Sequence, residues 1–258
     1  MGIIKKFRIT TFKKEINKIS LKKISHSFNK IKVLEDVSFN IHQSEIAGLL
    51  GPNGSGKSTL FNIICGILKP NYGEVIINGV NVNEVPIYKR ALDYGISLVP
   101  QHGGTFSGLS CIENLKAISE VVIENKNDRN YKIEEMISKF QLEPHANTKC
   151  LMLSGGTKKK VAIAMALMSN PKIVLMDEPF AFLDILTVRD LQKTITNLQT
   201  EDTTRCIIIS DHSVRELLSV CDRAIILANK KIVAQGRPSE VIKNDNAKIY
   251  FGDAFKIN

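Results

Sequence analysis

Ile46-Ala47-Gly48-Leu49-Leu50-Gly51-Pro52-Asn53-Gly54-Ser55-Gly56-Lys57-Ser58-Thr59-Leu60 decides the fold. Its first five residues are a short apolar run that reads as a buried strand. A glycine-rich loop follows, and Leu60 to Leu68 continues with helical spacing. Gly51, Gly56, Lys57 and Ser58 match the P-loop pattern of Gly, four residues, Gly-Lys-Ser. The glycines let successive backbone N–H groups turn inward around a phosphate, and the helix N-terminus adds a partial positive charge. In such a loop Lys57 reaches the β- and γ-phosphates and the Ser58 hydroxyl ligates Mg²⁺. A glycine loop that merely joined a strand to a helix would require neither residue. Residues 51–59 therefore predict a nucleoside-triphosphate site.

Outward from this stretch, β and α signals alternate. Residues 19–41 alternate apolar and polar, as in Val33, Val37, Phe39 and Ile41, which predicts strands beside the nucleotide site. Beyond the P-loop helix, Lys69-Pro70-Asn71-Tyr72-Gly73 is a turn, Glu74–Asn78 a strand, and Gly95–Val99 another strand ending in Pro100-Gln101. Residues 103–168 change character. Helical spacing over Ile112–Ile123 and Tyr131–Phe140, split by the polar stretch 124–130, predicts a helical subdomain inserted in an α/β core. Leu153-Ser154-Gly155-Gly156 opens a helix to about Met168, and Ile173-Val174-Leu175-Met176-Asp177-Glu178 is an apolar strand that delivers two carboxylates at its end. Helix 187–199, strand 206–210, helix 213–220 and strand 224–227 continue the alternation, and the closing segment holds Ile232-Val233-Ala234-Gln235-Gly236 and a short helix over 238–243. The pattern predicts a mainly parallel sheet with helices on both faces, accompanied by an antiparallel β subdomain.

Composition narrows the function. No run approaches the ~20 consecutive apolar residues that a membrane span needs. The five cysteines are scattered with no CxxC pair, and the five histidines show no ligand spacing, so buried apolar roles in a reducing cytosol are expected. The net charge of +9 is concentrated at one end. Residues 1–32 hold ten Lys and Arg against Glu15 alone, which leaves 25 basic and 25 acidic residues in the rest of the chain. A nucleic-acid binder would carry its basic stripe across the fold, so no nucleic-acid partner is expected. The extension 1–18 reads as a solvated basic arm or one drawn to anionic headgroups.

Asp177 at a strand end after a P-loop is the expected acid of the Mg²⁺ water shell. Glu178 beside it is the candidate general base, a role that needs it to reach a water in line with the γ-phosphate. Gln101 and His212, each just past a strand's C-terminal end, are expected to face the same crevice.

The order Gly51 to Ser58, Gln101, Leu153-Ser154-Gly155-Gly156, Asp177-Glu178, Leu183-Asp184, His212 resembles the nucleotide-binding subunits of ABC transporters from about residue 19 onward. Small residues at a helix start present N–H groups and a hydroxyl to phosphate oxygens, as the P-loop does. The resemblance implies ATP and Mg²⁺ as cofactors and a homodimer in which Ser154, Gly155 and Gly156 of one chain meet the ATP held by the other. It further implies that Asp184 lies in the loop linking the two sites and that Phe28 stacks on adenine. Gln101 would sense the metal and couple to the membrane subunits, while His212 positions γ-phosphate and water. Within the family the chain is similar to the ATPases of lipopolysaccharide export. The likeness rests on Met176–Ala181, Asp211–Glu216, Pro100-Gln101 followed by Thr105-Phe106 and Leu109-Ser110, and the closing Tyr250-Phe251-Gly252-Asp253-Ala254-Phe255.

That likeness implies two transmembrane permeases, seated near Phe106, at the cytoplasmic face of the inner membrane. Cassettes of branched-chain amino-acid importers share part of these motifs, and soluble ABC ATPases acting on ribosomes or DNA are a third class. Those soluble proteins carry paired cassettes or long insertions, against one cassette and a modest lobe here. Four places depart from the pattern: Thr157 stands where Gln or Glu is usual, Met165 where Arg is common, Ser44 where Gly precedes Glu45, and Ser107-Gly108 where the export ATPases carry arginines.

Overall fold

The computed structural model describes residues 17–252. The basic arm up to residue 16 and the closing residues 253–255 of the export-ATPase likeness lie outside the described residues. Two long strands, β1 (Asn17–Phe28) and β2 (Ile31–His42), pair antiparallel and lead into β3 (Ile46–Leu50), the P-loop and α1 (Lys57–Cys65). Strands β4 (Tyr72–Ile77) and β5 (Val80–Asn81) complete a four-stranded antiparallel sheet in the order β2-β1-β4-β5. Then come α2 (Ile87–Tyr94), β6 (Ile96–Val99), α3 (Cys111–Val122), α4 (Lys126–Lys139) and α5 (Gly155–Leu167). The remainder alternates: β7 (Ile173–Asp177), α6 (Ile185–Glu201), β8 (Cys206–Asp211), α7 (Val214–Leu218), β9 (Arg223–Ala228), β10 (Lys231–Gly236), α8 (Pro238–Val241) and α9 (Asp245–Phe251).

The second sheet has the order β10-β9-β3-β8-β7-β6, parallel except where β10 joins β9. It is buried on both faces, which is why its strands read as continuous apolar runs rather than alternating ones. Alternate residues enter different cores. Ile46, Leu50, Val174, Met176, Ile207 and Ile209 join one cluster with residues of α3 to α7. Ala47, Leu49, Ile173, Leu175 and Ile208 join another with α1 and the antiparallel sheet. At about 1.5–3 kcal/mol for each large aliphatic side chain removed from water, this double packing fixes the strand register. The register aligns the strand ends that matter: Leu50 lies opposite Asp211, Asp177 opposite Ser210, and Val99 opposite Met176.

The C-terminus of α1 is closed from an unexpected direction. Arg90 of α2 is buried and donates from Nη1 to the Ile63 and Ile64 carbonyls, at 2.8 and 2.9 Å, while Nε donates to Val85 O. The guanidinium joins the Gly66 N–H on the Ile63 carbonyl and adds a donor at the Ile64 carbonyl, in the last turn where helix carbonyls run out of intrahelical partners. Three boundaries differ from the sequence reading. The polar stretch 124–130 is mostly helix, because the Asn125 side chain accepts from Asn127 N and Asp128 N and starts α4 there. Helices α2 and α9 were not expected. Each is short and buries a single residue, Arg90 in α2 and Ala247 in α9. All five cysteines are free and buried.

Candidate active site

The P-loop turns where the chain can do so only without side chains. Gly56 has φ 105°, and a Cβ there would lie 2.8 Å from Leu34 Cδ2. A Cβ on Gly51 would run into the Leu227 carbonyl and Ser55 Oγ. Within the loop Lys57 is buried, and its Nζ donates to Gly51 O at 2.8 Å and Pro52 O at 3.2 Å. Loss of water lowers its pKa, an effect opposed by the charges of Glu178, Asp177 and Asp211. The Ser55 hydroxyl is buried without a hydrogen-bond partner among the described residues. Buried polar groups are rarely left so, and a hydroxyl in the wall of the P-loop cleft fits a phosphate oxygen as its acceptor.

Around this loop opens a cleft of about 580 Å³ whose wall includes Asn53 to Thr59, Gln101, Glu178 and His212. Asp177 lies just beneath, buried, accepting a hydrogen bond from the Ser210 hydroxyl. Glu178 follows with φ 48°, a left-handed backbone that costs a non-glycine residue about 1–3 kcal/mol. Its N–H donates to Ser210 O at 2.8 Å, and this bend turns the chain out of the sheet so that the Glu178 side chain faces the cleft. There Glu178 Oε2 accepts from Gln101 Nε2 at 2.6 Å and stands 3.6 Å from His212 Nδ1. A carboxylate held by one amide, beside an imidazole and facing a phosphate loop, can take a proton from a bound water.

The oxygens near the loop also suit a divalent cation. The Ser58 hydroxyl, the Gln101 amide and the Asp177 carboxylate are hard donors and few. That is the set used by Mg²⁺, which keeps several waters and shares phosphate oxygens.

The other sequence-derived residues lie apart. Phe28 is 44% exposed and is not part of the cleft wall; its ring meets His26 edge-on at 4.7 Å between centroids. Ser154 caps α5, its hydroxyl accepting from Thr157 N at 3.2 Å and bonding to Thr157 Oγ1 at 2.9 Å, so Thr157 completes the turn locally. Gly155 lines a neighbouring cavity of about 480 Å³ with Gln101, Lys159 and Glu178, and Gly156 packs toward Thr187. Asp184 lines neither space. It caps α6, and the Thr187 hydroxyl and the Thr187 and Leu186 amides hold its pKa below the usual carboxylate range.

Two residues that sequence reasoning did not assign prove central. Asp211 is fully buried and accepts from His212 N at 2.8 Å, Ser213 N at 2.9 Å and Phe180 N at 3.2 Å, tying the turn after β8 to the turn after β7. The signal was present, a carboxylate closing an apolar strand, but it was absorbed by the neighbouring His212. Phe182, 92% exposed at φ 60°, borders both cavities.

If Phe28 contributes only stacking on a base, Phe28→Ala weakens ATP binding by about 1–2 kcal/mol and leaves turnover at saturating ATP unchanged. Isothermal titration and steady-state kinetics measure the two effects, and loss of folding in that variant would instead make Phe28 a core residue.

A family model described as ABC transporter matches residues 34–181. The chain is 37% identical over 241 residues to the lipopolysaccharide export system ATP-binding protein LptB of Haemophilus influenzae, covering 93% of this chain and 99% of that protein. Among solved structures it is similar to a nucleotide-free ATP-binding cassette from an ABC transporter, with TM-score 0.79, 26% identity, and 92% and 96% of the two chains covered. It is also similar to a cassette solved as a dimer in a post-hydrolysis state bound to ADP and Pi, with TM-score 0.76, 28% identity, and 85% and 98% covered.

Proposed function

Because the chain belongs to the ATP-binding, ATP-hydrolysing subunits of ABC transporters, we propose that it powers lipopolysaccharide export as one of two identical motors beneath a pair of membrane permeases. The observation that carries the substrate is the likeness to LptB along nearly the whole length of both chains. Among the described residues no helix is long and apolar enough to cross a membrane. In this reading the chain attaches to the inner membrane's cytoplasmic face through the permeases.

In this reading the P-loop amides and Lys57 hold the nucleotide's phosphates, and the unpartnered Ser55 hydroxyl finds an acceptor there. Ser58, Gln101 and the water shell of Asp177 would hold Mg²⁺, which when bound neutralises phosphate charge. Glu178 takes the proton of the attacking water. His212, 3.6 Å away, steadies the water and the γ-phosphate. The left-handed bend at Glu178 and its bond from Gln101 hold the base in position before the nucleotide arrives, so little reorganisation is needed at the reacting step. Ser154, Gly155 and Gly156 stand outside the P-loop cleft, which supports their meeting the nucleotide of a second copy. Asp184, at the start of α6, lies in the loop between the two sites.

The permease contact is proposed at Phe106. Phe106 is 51% exposed. The backbone beneath is fixed by buried Asn114, which accepts from Phe106 N at 2.7 Å and donates to the Phe106, Leu109 and Ser110 carbonyls. A rigid loop presenting one large apolar side chain among Gly103, Gly104, Ser107 and Gly108 suits insertion into a partner's pocket.

Phe106→Ala is expected to weaken assembly with the permeases by about 2 kcal/mol or more. ATP hydrolysis by the isolated chain should be unchanged, and added salt should disturb assembly only mildly. Affinity purification from native membranes, with identification of bound permeases and co-purifying lipid, reads this out. Recovery of solute-importer permeases would replace the export reading, and normal assembly of the variant would move the contact elsewhere.

A further inference from the structure

Helix α5 touches the loop after β6 at two places. A Cβ added to Gly104 would lie 3.2 Å from Ala162 Cβ, so helix and loop are in close contact there. One turn earlier, Lys159 reaches in. Its Nζ donates to Gln101 O at 3.1 Å and, more weakly, to Pro100 O at 3.4 Å. This ammonium is partly buried, and its surroundings hold three carboxylates: Asp177 and Glu178 at the end of β7, and Asp211 at the end of β8. An ordinary surface lysine extends its charge into water. Lys159 instead carries it inward to the backbone of Gln101, whose side chain donates to Glu178.

We propose that Lys159 is a positioning residue for ATP hydrolysis: by fixing the Pro100 and Gln101 carbonyls it holds the Gln101 amide on the Glu178 carboxylate, and it ties that placement to α5. A path of direct contacts results. Ser154 caps α5, Lys159 projects from the second turn of the same helix, its ammonium grips the Gln101 main chain, and the Gln101 side chain meets Glu178. A shift of α5 when its N-terminus engages a phosphate would therefore move the amide that orients the base. Lysine suits this role because an ammonium can serve two carbonyls at once and is drawn to the surrounding negative charge. The proposal rests on the reading of Glu178 as the base.

The test compares full-length Lys159→Met and Lys159→Arg in steady-state hydrolysis, equilibrium ATP binding and thermal unfolding. In Lys159→Met, kcat should fall about tenfold, the equivalent of one such hydrogen bond lost at the reacting step. KM, ATP affinity and unfolding midpoint should stay close to those of the parent. Lys159→Arg, which keeps the charge and the donors, should recover most of kcat. If the Met variant does not fold, Lys159→Gln takes its place with the same expectation for kcat.

Unchanged kcat in Lys159→Met overturns the proposal. So does a parallel loss of kcat, ATP affinity and unfolding midpoint that arginine fails to rescue, since that would make Lys159 a structural contact only. Glu178→Gln, measured alongside, separates the two readings. If it retains turnover, the base has been misassigned; if it is inactive while Lys159→Met is unaffected, only the role of Lys159 fails.

Discussion

Glu178→Gln is expected to lower kcat for ATP by about 10²–10⁴-fold, the range that a positioned general base contributes, while ATP still binds. The substitution keeps the shape of the side chain and its place at the left-handed bend. The Gln101 amide then faces either an amide oxygen or, after rotation, another donor, so the bond at 2.6 Å weakens or reorients. The P-loop contacts do not involve this side chain, and nucleotide affinity should change by less than about threefold, under 1 kcal/mol. Single-turnover assays with radiolabelled ATP distinguish slow chemistry from slow product release. Turnover at the parent rate would mean that another group takes the proton. His212 is then the first candidate, being the nearest titratable neighbour in the cleft.

Asp211→Ala should produce the largest loss of stability of any single change in the site. The carboxylate is fully buried and accepts from three backbone N–H groups in two different turns. Removing it leaves those donors unsatisfied, at about 1–3 kcal/mol for each group left unpaired in the interior. With some relief from relaxation, the total should be about 3–5 kcal/mol. Chemical denaturation should show an earlier midpoint. The turns carrying Glu178 and His212 should loosen first, visible as faster amide exchange at Phe180, His212 and Ser213. Asp211→Asn keeps one accepting oxygen and should lose less. Parent-like stability in the alanine variant would show that water satisfies these amides.

The parts of the site legible in the sequence are those whose chemistry is written in adjacent residues. The P-loop spacing and the paired carboxylates Asp177-Glu178 each carry their physics within a few positions, and Ser154 was legible as the start of α5. The parallel sheet was legible too, because strands buried on both faces leave continuous apolar runs. What the sequence did not reveal depends on register between distant segments. That Asp211 would gather amides from the turn after β7 follows from Asp177 lying opposite Ser210, which no local pattern announces. Lys159 sits in a run of three lysines on α5, and only the packing of that helix against the loop after β6 singles it out. The left-handed backbone at Glu178 is invisible as well, since nothing in the residue type favours it; the surrounding hydrogen bonds impose it. The start of α4 was missed for a simpler reason, an asparagine cap within a polar stretch that otherwise reads as loop.

Two copies enclosing ATP between the P-loop of one and the Ser154–Gly156 turn of the other is the central claim, and the molecular mass of Glu178→Gln in solution tests it most directly. With hydrolysis stopped, light scattering coupled to gel filtration should give twice the single-chain mass in ATP and Mg²⁺, and a single-chain mass in ADP. A single-chain mass under saturating ATP, with bound nucleotide verified in the eluted peak, would contradict it.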